Sequence, residues 1–401
     1  MAFNKKIVIV NVHWNNRGDE AALKGLWINL KKKFPSHEIT TVFKDKNPIL
    51  DNLKNYTDKV VVNRFKEPLL KILINILFRG HFFKNEEISK LLKILINADL
   101  VVYGPGGSVI SDNFYKYKQI EYLTPFMICY FFKIPFFVLG PSFGPFDHKK
   151  KFFLRNFLLK KTNNFCVREG ISKSYVEEIT KKNVKKTTDL SFSYHLNKDD
   201  VHVNELFKSM SFGENDKIIG ISLSDFTWHV KFGNQKEFIQ NVNQTYVEFI
   251  KYLVKNNFKV LLIPQLFGSQ NDYDYLKKLK DLSTGIEVLD QNFDCDAQKK
   301  IISHLYATVG SRYHLMIFST MMSVPNISIN YDHKTRGFLR DCELEEWCID
   351  LEELDYKKLK NLFDNLCKNR EHLIERYKQL TPNLEKNSKS SFELFDKINK
   401  F

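Results

Sequence analysis

The chain has 401 residues, of which 43% are hydrophobic, 27% charged and 14% aromatic, enough apolar mass for two or three packed domains and incompatible with global disorder. Against 47 Asp and Glu stand 61 Lys and Arg, and the formal charge of +14 at pH 7 favours anionic partners such as phosphorylated substrates or acidic membrane surfaces. The lysines are dispersed instead of gathered in a basic stripe with interleaved aromatics, so nucleic acid is not expected as a partner. The six cysteines form no C-x-x-C pair and no cluster with zinc spacing, and no H-E-x-x-H occurs, so reduced core thiols and no tightly held metal are expected. The apolar stretch near the amino terminus is too short for a signal sequence. The longest apolar run, 126–139, is interrupted by Lys133 and Pro135 and falls short of the roughly 18–20 residues a spanning helix needs. A cytoplasmic protein is the expectation.

Short β-rich runs alternate with helical patterns along the first half. Strands are predicted at 7–12, 39–43, 59–63, 100–103, 136–140 and 164–168, and helices at 19–33, 86–97, 115–132, 148–161 and 170–182. The runs KIVIVNV, DLVVYG and PFFVLG are continuously apolar, as expected of parallel strands covered on both faces. Segment 69–78 (LLKILINILF) reads as a helix, packed in the core or lying on a membrane, the core being the first expectation. Between 191 and 216 the periodicity lapses and the sequence turns polar, which marks an interdomain connection. A second series follows: strands at 218–224, 259–264, 286–289, 307–310 and 326–330, helices at 236–256, 272–283, 296–304 and 312–323. From 351 to 401 the sequence is helical. The fold class is therefore α/β, with two Rossmann-like domains (1–190 and 217–350) facing a cleft and a helical C-terminal segment.

In such folds ligands bind beyond the carboxyl ends of the strands, so the residues there are the candidates for chemistry. Glycine is scarce, 16 in all, yet Gly104, Gly106 and Gly107 follow one strand and Gly140 and Gly144 the next. Glycine there lets backbone N–H groups approach an anion, and Ser108 adds a hydroxyl, but the run matches neither the dinucleotide fingerprint nor the P-loop. The first strand ends in Asn15-Asn16-Arg17-Gly18-Asp19-Glu20, where Asp19 reads as the cap of the next helix and Asn16 and Arg17 project towards the cleft. Arg168 and Arg312 also follow strands directly. Arg312 and His314 open a helix, where the positive end of the dipole and an arginine fork suit a carboxylate or phosphate. Lys334 lies after the last strand and adds charge to the same edge.

Taken in order, these elements resemble the polysaccharide pyruvyl transferase family. The matching segments are N-x-x-G-D-E-A at 15–21, A-D-L-V-x-x-G-P-G-G-S at 98–108, G-P-S-F-G-P at 140–145 and V-R-E at 167–169. They continue with T-D-L-S-F at 188–192, S-R-Y-H-L-M-I-F at 311–318, and S-V-P followed by Y-D-H-K-x-x-G-F-L at 323–339. The resemblance implies a GT-B-like fold and transfer of the pyruvyl group of phosphoenolpyruvate onto two hydroxyls of a sugar, with a cyclic ketal as product. The acceptor would be a surface polysaccharide or its lipid-linked precursor, and phosphoenolpyruvate is a substrate, so no cofactor is implied. Arg168, Arg312 and His314 match positions that bind phosphoenolpyruvate. His314 is the expected general acid, with Asp19 and Asp189 as candidates for the base or for orienting the acceptor. Weak, salt-sensitive contact with anionic membrane fits a lipid-linked acceptor. The alternative from the same architecture is a GT-B glycosyltransferase using a nucleotide sugar.

Overall fold

The structure is a computed structural model that describes residues 5–44, 56–63, 67–81, 86–107, 110–113, 116–146, 152–195, 202–227, 231–232, 234–267, 271–282, 284–290 and 293–397. Two compact units are present. The first consists of Met1–Asn15, Asp19–Tyr194 and Glu385–Phe401; the second of Asn16–Gly18 and His195–Leu384.

In the first unit, strands β1 (Lys5–Val12), β2 (His37–Phe43), β3 (Lys59–Val62), β4 (Leu100–Tyr103), β5 (Phe136–Leu139), β6 (Asn164–Val167) and β7 (Lys185–Lys186) form one sheet. Their order is β3-β2-β1-β4-β5-β6-β7, with every pair parallel. Strand β4 shows why the apolar runs do not alternate: Val101 and Tyr103 enter one core, Leu100 and Val102 the other. One face is covered by the helices Leu69–Leu77, Glu87–Ile96, Lys116–Phe132, Phe153–Lys161 and Gly170–Thr180. The other carries the helix Arg17–Lys33 and the C-terminal turns, whose Phe392, Leu394 and Phe395 are buried there. Edge strand β7 escapes the sequence pattern because its two residues are both lysine. The helix Leu69–Leu77 buries Ile72, Asn75 and Ile76, yet leaves Leu70, Leu73 and Leu77 exposed.

The second unit repeats the scheme with β8 (Lys217–Ser222), β9 (Phe258–Leu262), β10 (Ile286–Val288), β11 (Ala307–Gly310), β12 (Asn326–Asn330) and β13 (Cys348–Asp350), in the order β10-β9-β8-β11-β12-β13 and again all parallel. Strand β13 was not expected from the sequence, because only Ile349 of its three residues is buried. Segment 191–216 also differs from expectation: it contains the helix Val203–Ser209, anchored by Val203 and Phe207 one turn apart. The helices Tyr356–Lys368 and Arg370–Lys389 make up most of the C-terminal segment. Both sheets reverse direction of winding at one place, between β1 and β4 and between β8 and β11. At such a switch point the flanking loops part and leave room for a ligand.

Candidate functional site

At the switch point of the second unit, β11 ends at Gly310, and Arg312 stands as the cap residue of the helix Tyr313–Met321. The Ser311 N–H donates to the Ser222 carbonyl (2.9 Å), and the Ser311 hydroxyl accepts from the Ser224 N–H (3.1 Å). These bonds tie the end of β11 to the loop after β8. Arg312 is held by Asp272: Nε donates to Oδ2 (3.0 Å), and the second guanidinium nitrogen pairs with Oδ1. The same Oδ2 accepts the N–H groups of Gln265 (3.1 Å) and Leu266 (2.9 Å), so one buried carboxylate fixes both the arginine and the loop after β9. Burial works against the charge on Arg312, but Asp272, then Tyr331 and Asp225, more than offset it and hold the guanidinium above its ordinary pKa. The cation is permanent.

His314 lies in the first turn of that helix, 7% exposed, with its ring edge-on to Tyr313 (centroids 4.9 Å apart). Residues Asn16–Gly18 come to the same place although they follow β1 in sequence. Asn16 bridges to Leu266, the Arg17 N–H donates to the Gln265 carbonyl (2.9 Å), and the Arg17 guanidinium lies 4.5 Å from the Phe267 ring centroid. A Cβ built on Gly18 would overlap the imidazole of His314, so only glycine allows this approach. Lys334 joins from beyond β12, with its Nζ 5.9 Å from the Tyr313 ring centroid, 5.8 Å from that of Tyr331, and 3.5 Å from Asp332. The structure thus gathers Asn16, Arg312, His314 and Lys334 into the second unit.

The remaining candidates belong to the first. Arg168 is 1% exposed; its Nε donates to the Ser142 hydroxyl and its NH1 to Asp189 Oδ2, both at 2.8 Å. Asp189 is fully buried and also caps the turn Leu190–Ser193, accepting from the Ser191 N–H (3.0 Å), while its carbonyl accepts from Ser388 (2.8 Å). Arg168, like Arg312, is thus held in place by a buried carboxylate of its own unit. Gly106 has a packing reason, because a Cβ there would come 2.7 Å from the Asn11 carbonyl, whereas a Cβ on Gly107 would meet nothing within 4 Å. Ser108 lies outside the described residues.

Two local expectations are corrected. The cap of the helix Arg17–Lys33 is Asn16, whose Oδ1 accepts the Gly18 N–H (2.9 Å), and Asp19 sits inside the first turn at 8% exposure. Arg17 does not project outward; it is 3% exposed on Phe267. The sequence reading missed Asp272 altogether. An acid at a helix start reads as a dipole partner, and its real partner is 40 residues away. Among the described residues, no group of three or more His, Cys, Asp or Glu could hold a metal ion.

Two parallel Rossmann-like sheets with these switch-point residues define a GT-B-like α/β protein, and the likeness to solved structures shows the same fold. A UDP-GlcNAc 2-epimerase of Neisseria meningitidis matches with a TM-score of 0.57 and 12% identity over 98% of this chain and 100% of that one. A glycosyltransferase of Rickettsia africae matches with a TM-score of 0.57 and 15% identity over 98% and 100%. The profile of the polysaccharide pyruvyl transferase family matches residues 16–333, and the chain belongs to that family. The amylovoran biosynthesis protein AmsJ of Erwinia amylovora is 24% identical over 382 residues, 87% of this chain and 89% of the relative. The protein is accordingly a transferase of polysaccharide biosynthesis.

Proposed function

We propose that the protein transfers the pyruvyl group of phosphoenolpyruvate onto two hydroxyls of one sugar of a polysaccharide or its lipid-linked precursor, releasing phosphate. The observation that carries this reading is the pairing of a permanent cation, Arg312, with an imidazole, His314, on the first turn of one helix at the switch point of the second sheet. Phosphoenolpyruvate places a carboxylate and a phosphate on three carbons. An arginine fork, a helix N-terminus and a nearby lysine are the groups that such a compact polyanion requires.

In this reading His314 delivers a proton to C3, which becomes the methyl carbon, and cationic character develops at C2. One sugar hydroxyl adds at C2, the bond between C2 and the phosphate oxygen breaks, and the second hydroxyl closes the ketal. The two hydroxyl protons balance the step, one replacing the proton given to C3 and one leaving with phosphate. Arg312 and Lys334 neutralise the charge that gathers on the departing phosphate. Asp19 and Asp189 remain the candidates for accepting a hydroxyl proton. Of these, Asp189 also holds Arg168 and caps a turn.

The test is phosphate release from phosphoenolpyruvate across a panel of glycan acceptors. His314→Ala should lose on the order of 10²–10⁴ in kcat, the usual worth of a positioned proton donor. Turnover of a UDP-sugar with the same acceptors, and none of phosphoenolpyruvate, would replace this reading with the glycosyltransferase one.

A further inference from the structure

The first unit carries a surface to which the proposed mechanism assigns no role. Among the described residues, eight large hydrophobic side chains stand exposed, and all of them belong to this unit. Seven lie on or beside the helices Leu69–Leu77, Lys116–Phe132 and Phe153–Lys161, which bury their opposite sides in one core on one face of the sheet. Scattered single exposures are ordinary; this many on one helical layer mark an interaction face.

The most compact part of that layer is aromatic. Phe153 is 78% exposed and stacks on Phe157 (6.1 Å), Phe157 meets Tyr130 edge-on (5.3 Å), and Phe131, 52% exposed, follows Tyr130 at the end of its helix. Beside them opens a cavity of about 570 Å³ lined by Tyr130, Phe131, Phe136 and Leu158 together with Lys133 and Lys161, and no acidic residue lines it. Lys161 Nζ lies 5.7 Å from the Phe157 ring centroid, and Lys133, Lys160 and Lys161 are all exposed. None of the three has an ion-pair partner among the described residues.

We propose that this face docks on an anionic lipid surface, with the Phe153–Phe157–Tyr130 ladder and Phe131 in the headgroup–acyl boundary and the three lysines on lipid phosphates. Aromatic rings with basic side chains at their margin suit that boundary, where one side of the contact is apolar and the other charged. The charge also decides between occupants. A second copy would bring the same lysines against one another across a two-fold axis, whereas an anionic bilayer complements them. No helix among the described residues is long and apolar enough to cross a membrane, so the contact is one of lying on the surface.

The experiment is co-sedimentation of the full chain with phosphatidylglycerol–phosphatidylcholine vesicles and with phosphatidylcholine vesicles alone, at low and raised salt. Two double variants, Lys133→Glu/Lys161→Glu and Phe131→Ser/Phe153→Ser, are compared after thermal melts show them folded; all four positions are surface sites. The wild type should bind the anionic vesicles and be released by salt. Each lysine contributes on the order of fivefold in partitioning, so the charge variant should bind at least about tenfold more weakly, and the aromatic variant should also lose binding. Absence of wild-type binding, or binding unchanged in both variants, overturns the proposal. So does a dimer in sedimentation analysis that the aromatic variant dissociates while vesicle binding is absent, since the face then joins two copies. None of these readouts depends on phosphoenolpyruvate.

Discussion

Replacing Asp272 by Asn tests whether one carboxylate organises the second unit's switch point. The wild-type side chain holds Arg312 with both oxygens and takes the N–H groups of Gln265 and Leu266 on one of them, all in a buried setting. The amide removes the negative charge and keeps one acceptor oxygen. Arg312 remains protonated, so a buried cation loses its counter-charge. Stranding one member of a buried ion pair costs about 3–5 kcal/mol, and the retained oxygen puts Asp272→Asn near about 3 kcal/mol. Arg312→Met strands the carboxylate and should cost a similar amount. The two losses share one interaction, so the double variant should fall short of their sum by at least about 1.5 kcal/mol. Hydrogen exchange gives the local readout: the amides of Gln265 and Leu266 should lose protection in Asp272→Asn and keep most of it in Arg312→Met. Additive losses, or unchanged exchange at 265 and 266, refute the reasoning.

Further predictions follow from other contacts. Gly18→Ala forces a methyl group against the His314 ring and should cost about 1–3 kcal/mol in thermal unfolding; in a His314→Ala background, which vacates the ring's place, most of that cost should vanish. Gly106→Ala should destabilise by a similar amount through the Asn11 backbone, while Gly107→Ala should leave the melting temperature unchanged. Burial disfavours the charge on Asp350, yet hydrogen bonds from Arg336 (2.7 Å) and Asn330 (2.6 Å) hold its carboxyl below the ordinary value of 3.8. Its contribution to stability is therefore complete above that value and is lost as pH falls through the lower folded one. Melts of Asp350→Asn should show lower stability near neutrality and a flatter acid limb than the wild type.

Much of the fold is legible in the sequence because both sheets are covered on both faces. β4 and β5 read as uninterrupted apolar runs between turn residues, and the observed strands match the predicted ones to within one residue. Short edge strands such as β7 and β13 bury too little to leave a pattern. Arg312 and His314 were readable from one rule, that ligand groups follow parallel strands. Asp272 was not, because a bidentate grip across 40 residues has no local signature. Arg168 was readable as a strand-end arginine but not as a buried one, since its partners Ser142 and Asp189 stand 26 and 21 residues away. The apolar helix Leu69–Leu77 shows another limit. Apolar residues all round it hide which side is core, and the structure buries Ile72 and Ile76 while exposing Leu70, Leu73 and Leu77.

In the proposed mechanism Arg312 grips the donor while His314 acts on it. Calorimetric titration of phosphoenolpyruvate into the wild type, Arg312→Ala and His314→Ala is its most direct test. The wild type and His314→Ala should bind with affinities within about tenfold of each other, and Arg312→Ala should lose on the order of a hundredfold or more, as expected when a charged hydrogen-bonding partner of an anion is removed. Absence of binding to the wild type, or undiminished binding to Arg312→Ala, would contradict it.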